Sequence, residues 1–158
     1  MKRAWIVFLA VLLLPAAGLL AQVRTEKPND FSIELGGKCI LYSLTYQRVI
    51  SGMFGLEIAA SAIGGGAEGE SAGIFFLGGG GRLYFMKKNG SPYIAGGLVY
   101  LTAASSAGPF EGDSGVYFYA SPGFEFRMSA GFVFRGSVYF LIKNGFFVWP
   151  GISLGIAF

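Results

Sequence analysis

Histidine is absent from this 158-residue sequence, and cysteine occurs once, at Cys39. Without histidine, no serine–histidine nucleophile pair and no imidazole metal ligand can be built. A lone thiol supplies neither a thiolate cluster nor an internal disulfide. Charge is scarce too: Asp, Glu, Lys and Arg make up 13% of the chain, about half the usual share. Lys2 and Arg3 supply two of the +3 formal charges, and no basic tract remains that could track nucleic-acid phosphates. Nucleic acid is therefore excluded as a partner, and no cofactor is expected. A long apolar run is also missing beyond the first residues. The most extended uncharged stretch, 89–110, is broken by Ser91-Pro92, Gly96-Gly97, Ser105-Ser106 and Gly108-Pro109. Such punctuation suits strands bounded by turns rather than a transmembrane helix.

What the chain does have is apolar and aromatic: 53% and 16% of residues respectively, in a length that suits one domain. Lys2 and Arg3 precede an apolar core, Ala4 to Leu14, followed by Pro15 and small residues up to Ala21. That is the layout of a cleavable secretory signal. Cleavage after Ala21 would leave Gln22 as the first residue, with Gly18 the second choice. Cys39 follows Gly-Gly-Lys and lies well beyond either site, so no lipoprotein anchor is expected.

Beyond the signal, apolar residues alternate. Phe54, Leu56, Ile58 and Ala60 oppose Gly55, Glu57, Ala59 and Ser61. Phe118, Phe124 and Phe126 oppose Tyr117, Tyr119, Ser121, Glu125 and Arg127. Phe132, Phe134, Val138 and Phe140 oppose Arg135, Ser137 and Tyr139, and Ile152, Leu154, Ile156 and Phe158 oppose Gly151, Ser153, Gly155 and Ala157. Period two puts each pair of sets on opposite faces of a strand. The bulky face is apolar and the other is small, polar or charged, which is the inverted pattern of a barrel with lipid outside and a polar lumen. An open edge in hydrocarbon would strand backbone hydrogen-bonding groups, so closure is required.

The pattern predicts an all-β, up-and-down antiparallel barrel of eight strands, at 30–37, 40–50, 53–63, 72–86, 91–104, 115–128, 131–142 and 146–158. The chain divides into a signal segment (1–21), a short N-terminal arm (22–29) and the barrel (30–158). Both termini fall on the periplasmic side. Turns at Ser51-Gly52, Lys87 to Gly90 and Ser129-Ala130 join them there. Outer connections fall near Lys38-Cys39, Gly64 to Ser71, Ser105 to Ser114 and Lys143 to Gly145. Within the fifth strand, neither face of Tyr93 to Thr102 reads as a lumen. Gly78-Gly-Gly-Gly81 lacks the Lys-Ser/Thr and helix of a phosphate loop, and is read as curvature and close packing in a narrow barrel.

Two stretches carry a family resemblance. The terminal Gly151-Ile-Ser-Leu-Gly-Ile-Ala-Phe158 resembles the C-terminal signal by which outer-membrane barrels meet the barrel assembly machinery, with Ile152, Leu154, Ile156 and Phe158 as its apolar face. Ile33-Glu-Leu-Gly-Gly37 and Leu41-Tyr-Ser-Leu-Thr-Tyr-Gln-Arg48 resemble the opening hairpin of small bacterial outer-membrane barrels similar to OmpX and the OmpA membrane domain. The resemblance covers Phe31 to Phe158. It implies an outer-membrane location in a Gram-negative bacterium, with outer-membrane lipid and the assembly machinery as partners.

Alternation places Glu34, Glu57, Arg82, Glu125, Arg127 and Arg135 in the lumen, within roughly half a strand of the periplasmic ends. Three carboxylates face three guanidiniums, so the expected role is a structural charge network rather than a paired-carboxylate catalytic site or an ion path. Glu68, Glu70, Glu111 and Asp113 put solvated acid on the outer loops. Tyr42, Tyr46, Tyr84, Phe85, Tyr93, Phe146, Phe147 and Trp149 are assigned to interfacial girdles. Three functions follow in order: a non-enzymatic structural or interaction protein with a plugged lumen, a narrow channel or small-solute transporter, and a lipid-modifying membrane enzyme. The missing histidine disfavours the last.

Overall fold

The structure, a computed structural model, describes residues 23–67, 70–105 and 114–158. The signal segment lies outside the described residues, as do Glu68, Glu111 and Asp113. Among the described residues, a four-residue helix α1 (Val23–Glu26) precedes eight strands: β1 (Asn29–Gly36), β2 (Tyr42–Ser51), β3 (Phe54–Ala67), β4 (Glu70–Tyr84), β5 (Gly90–Ser105), β6 (Ser114–Arg127), β7 (Phe132–Ile142) and β8 (Phe146–Ala157). Each pairs antiparallel with its chain neighbours, and β1 pairs with β8 to close a barrel. All eight expected strands are present, with ends displaced by a few residues. The largest displacement is at β3, where Gly64 to Ala67 stay paired with β4 beyond the expected end at Ile63. Glycines carry no alternating side chain, so the periodic signal stops before the ladder does.

Alternation decides what faces where. Phe31, Ile33, Leu44, Leu56, Ile58, Phe118, Phe132, Phe134, Ile152, Leu154 and Ile156 all project from the outer surface. Their strand neighbours Ser32, Glu34, Ser43, Thr45, Glu57, Ala59, Tyr117, Tyr119, Val133, Arg135 and Ser153 are buried inside. β5 does have an inner face: Ser91, Tyr93, Ala95 and Val99 are buried, while Ile94, Leu98 and Tyr100 are exposed. The sequence alone leaves that face ambiguous because its lumen residues are small or apolar rather than charged.

Residues directly opposite one another in the ladders run from Phe31 through Tyr46, Ile58, Gly79, Leu98, Phe118 and Ile142 to Phe146. This path climbs the whole wall. It arrives ten residues from Ile156, the β8 residue that pairs with Phe31 directly. The shear number is therefore ten, which for a barrel this size implies strands tilted by about 40°.

One end of the barrel, the terminal end, carries both ends of the sheet and the β2–β3, β4–β5 and β6–β7 links. At the other, the loop end, the wall is uneven. β1 and β2 span 8 and 10 residues against 14 to 16 for β3 to β6. Their connection, a 3₁₀ turn at Gly37–Cys39, folds inward, and Lys38 and Cys39 are fully buried. The expected outer connection thus exists, but its side chains fill the lumen. Gly36 and Gly37 take φ of 70° and 71°, a left-handed conformation that glycine adopts without strain. A Cβ on Gly37 would also strike the Glu34 carboxylate.

Candidate functional site

The lumen is the site that the sequence singles out, and the structure brings all six expected charges into it. Period two aims them inward, and the shear sets them at overlapping heights. Arg82 Nη2 donates to Glu57 Oε2 at 2.5 Å. Arg135 donates from Nε to Glu125 Oε2 at 2.7 Å and from Nη2 to Asp30 Oδ2 at 2.6 Å. Arg127 Nη2 donates to the same Asp30 oxygen at 2.6 Å. Its Nε lies 3.3 Å from Glu125 Oε1, close enough to pair electrostatically but misaligned for a hydrogen bond. Glu34 stands apart: it is near the far end of short β1, where it accepts from Tyr139 Oη at 2.5 Å and Lys38 Nζ at 3.1 Å.

Three charges not singled out in the sequence complete the network. Asp30 has the strand parity of Ser32 and Glu34, so its inward direction was legible; it lies at the expected first residue of the barrel. Lys38 reaches inward from the 3₁₀ turn to Glu34 and, at 3.4 Å, to Glu57. Arg24 enters from α1, where its Nε donates to Glu125 Oε1 at 3.1 Å and its Nη1 donates to the Met86 carbonyl at 2.9 Å. The described lumen therefore joins Asp30, Glu34, Glu57 and Glu125 to Arg24, Lys38, Arg82, Arg127 and Arg135, and no side chain among these nine is more than 4% exposed. The expected equality of acids and bases gives way to an excess of one cation.

Hydroxyls link the ion pairs. Gln47 donates to Tyr84 Oη at 2.6 Å, Tyr84 Oη donates to Glu125 at 2.6 Å, and Tyr119 Oη donates to Glu57 at 2.7 Å. Arg82 lies 4.4 Å from the centre of the Tyr93 ring and Arg24 lies 4.0 Å from that of Tyr84, both within cation–π range. This corrects the girdle assignment of Tyr84 and Tyr93, which are buried in the lumen. Tyr84 shares the strand parity of Arg82, and its hydroxyl finds a carboxylate inside that lipid could not supply. Trp149 is a further departure. It is only partly exposed, packs against the lumen cluster at the loop end, and donates Nε1 to the Ile40 carbonyl at 2.7 Å. Tyr42, Phe85 and Phe146 are exposed on the outer wall, as expected of a girdle, whereas Phe147, also exposed, has the strand parity of Trp149 and stacks on its ring at the loop end.

Above the charges, Cys39, Phe76, Val99, Tyr117 and Leu141 form an apolar layer towards the loop end, with Ile63, Leu101 and Trp149 packed against it. Tyr117 Oη donates to the Lys38 carbonyl, tying this layer to the turn. Burial alone would lower the Lys38 pKa, but the Glu57 and Glu34 carboxylates beside it raise it well above its ordinary value. Burial pushes the Cys39 thiol up to about 11.

The two glycines of the Gly78–Gly81 run that face inward, Gly78 and Gly80, line the wall rather than a phosphate. A Cβ on Gly80 would meet Tyr119 Oη, one on Gly123 would meet the Tyr93 ring, and one on Gly151 would meet the Tyr139 ring. The narrow lumen accepts large phenol rings because nearby strands carry no side chains where the rings lie.

A closed eight-stranded antiparallel barrel, apolar outside and filled with paired charges inside, is the fold of the small outer-membrane β-barrels. The N-terminal β-barrel domain of Pseudomonas aeruginosa OprF matches it with a TM-score of 0.60, over 82% of this chain and 95% of that domain, at 11% identity. Ail, the attachment invasion locus protein of Yersinia pestis, matches in its complex with the heparin analogue sucrose octasulfate with a TM-score of 0.51, over 82% of this chain and 92% of Ail, at 15% identity. The structure of the outer membrane protein Ail in a phospholipid bilayer nanodisc gives the same TM-score and identity over 82% of this chain and 98% of Ail. At these identities the likeness concerns the fold. No protein-family model and no curated protein matches the sequence.

Proposed function

We propose that this chain is a non-enzymatic outer-membrane β-barrel protein with a structural or interaction role, whose lumen is closed by paired charges. The observation that carries this reading is the buried ion-pair chain from Arg24 at the terminal end to Lys38 beneath the loop-end layer. Each of the four buried carboxylates of the described lumen is paired with at least one buried cation, which leaves neither an unpaired general base nor room for a water column. The apolar belt, with Phe31, Leu56, Phe118 and Leu154 fully outward, faces outer-membrane lipid. The terminal end faces the periplasm, and Ile152, Leu154, Ile156 and Phe158 offer their outward edge to the barrel assembly machinery during insertion.

Two measurements test this. Cell fractionation should recover the protein in the outer membrane with heat-modifiable gel mobility; a soluble periplasmic protein migrating identically boiled and unboiled sinks the location. In planar bilayers the wild-type barrel should conduct poorly. Steady, sizeable conductance would favour a narrow channel, the second reading, which draws on the Ser61, Ser121 and Ser153 hydroxyls that face the lumen without a hydrogen-bond partner among the described residues.

A further inference from the structure

Arg24 is bound differently from the other buried cations. It is the only one of the five that comes from outside the sheet and its hairpin turn: it rides on α1, four residues that precede the first ladder. Its carboxylate partner is already well supplied. Glu125 accepts hydrogen bonds from Arg135 Nε and Tyr84 Oη, and has Arg127 Nε at 3.3 Å and Arg82 Nη1 at 3.7 Å. With Arg24 removed, Glu125 still faces three guanidiniums, and the four remaining cations of the lumen match its four carboxylates. Arg24 is the surplus charge, and among the described residues its Nη2 has no hydrogen-bond partner.

The backbone around it is tethered just behind the helix. Lys27 O accepts from Arg127 Nη1, Lys27 Nζ donates to the Ser129 carbonyl, and Pro28 O accepts from the Val49 amide. Residues 23–26 are held to the barrel by side chains alone, through buried Val23 and the Arg24 contacts, with Thr25 and Glu26 exposed. A cleft of about 300 Å³, lined by Arg24, Thr25, Pro28, Arg48, Ile50 and Gly52 among others, lies beside the arm. It leaves that flank unpacked.

We propose that α1 is a detachable stopper of the terminal mouth. Residues 23–26 swing about Lys27-Pro28 between a seated state, with Arg24 on Glu125 and the Tyr84 ring, and a withdrawn state that leaves the remaining ion pairs balanced. Withdrawal opens the floor of the lumen, formed by Glu125, Tyr84 and Met86 O, to the compartment at that end. The loop-end layer stays shut. The inference does not rest on poor conductance: a conducting barrel would sink the closed-lumen reading and leave the arm's behaviour to be measured separately.

The test is thiol labelling of the folded barrel in detergent with a bulky maleimide, using buried Cys39 as the internal reference. Val23→Cys should label faster than Cys39 and slower than Thr25→Cys. Adding Arg24→Ala should accelerate Val23→Cys by about tenfold, as expected from losing a charge-assisted hydrogen bond, while the barrel's unfolding midpoint stays close to wild type. In the unmodified protein, limited trypsin should cut after Arg24 while the barrel stays intact. The proposal is overturned if Val23→Cys labels only as fast as Cys39, if Arg24→Ala leaves its rate unchanged, or if Arg24→Ala prevents folding or destabilises the barrel as a substitution of Glu125 does. Resistance of the Arg24-Thr25 bond to trypsin until the whole barrel unfolds also overturns it.

Discussion

The phenolic oxygen of Tyr119 occupies the space that a side chain on Gly80 would need. The ring crosses from β6 towards the bare wall of β4 and β5, where Gly97 likewise leaves room, and its hydroxyl reaches Glu57. Gly80→Ala should therefore displace Tyr119 or spread the ladder, lowering stability by about 1–3 kcal/mol, the usual range for overpacking. Gly79→Ala is the control: it points outward, and its nearest neighbour would be 3.8 Å away. Urea unfolding in detergent separates the two. Equal midpoints would show that the ring moves aside freely.

Glu125 is the hub of the network, within 3.7 Å of Arg24, Arg82, Arg127 and Arg135. Glu125→Gln removes the charge those four share and leaves five buried cations against three carboxylates. The loss should be about 3–5 kcal/mol, typical of a buried pair broken on one side. Because Arg24 is the surplus cation, Arg24→Ala added to Glu125→Gln should recover part of that loss. A double variant less stable than the single one contradicts this assignment.

Phe158 is exposed at the end of β8, and its amide donates to the Asn29 carbonyl at 2.9 Å across the closing seam. Phe158→Ala removes only the outward ring and leaves that backbone bond. It should slow insertion and raise periplasmic degradation in cells, while the refolded barrel keeps nearly wild-type stability. Unchanged insertion under high expression would show that the terminal phenylalanine plays no part in assembly.

Cys39 sits on the inward turn, fully buried, with its thiol pushed up to about 11 by burial. At neutral pH it is a thiol rather than a nucleophilic thiolate, and no reagent reaches it. Maleimide should leave the folded protein unlabelled and modify it fully in urea. Rapid labelling of the folded barrel would mean that the β1–β2 turn does not stay tucked in.

The eight strands, their antiparallel order and the inward direction of Glu34, Glu57, Arg82, Glu125, Arg127 and Arg135 were legible in the sequence, because a strand alternates strictly and a lipid-facing wall must be apolar. Asp30 was within reach of the same rule. Direction along a strand is a local property, and one residue of period fixes it. Height in the barrel is not. Glu57 meets Arg82 through the β3–β4 register, which sets Arg82 opposite Gly55, but Asp30 of β1 meets Arg127 of β6 and Arg135 of β7 only because closure with a shear of ten brings their levels together. β1 and β2, with 8 and 10 residues against 14 to 16 in β3 to β6, stop short of the loop-end rim, and Lys38 on the turn between them is buried inside. Tyr84 and Tyr93 read as girdle residues because a tyrosine suits either side of a membrane wall. Strand parity with Arg82 and with Ala95 turns them inward, and the glycine facing Tyr93 and the carboxylate facing Tyr84, both on other strands, make room and supply a partner there. The sequence by itself determined the wall and the facing of its charges; only the closed, sheared tertiary structure decided which of them touch, since partners across a lumen are set by the register of every strand between them.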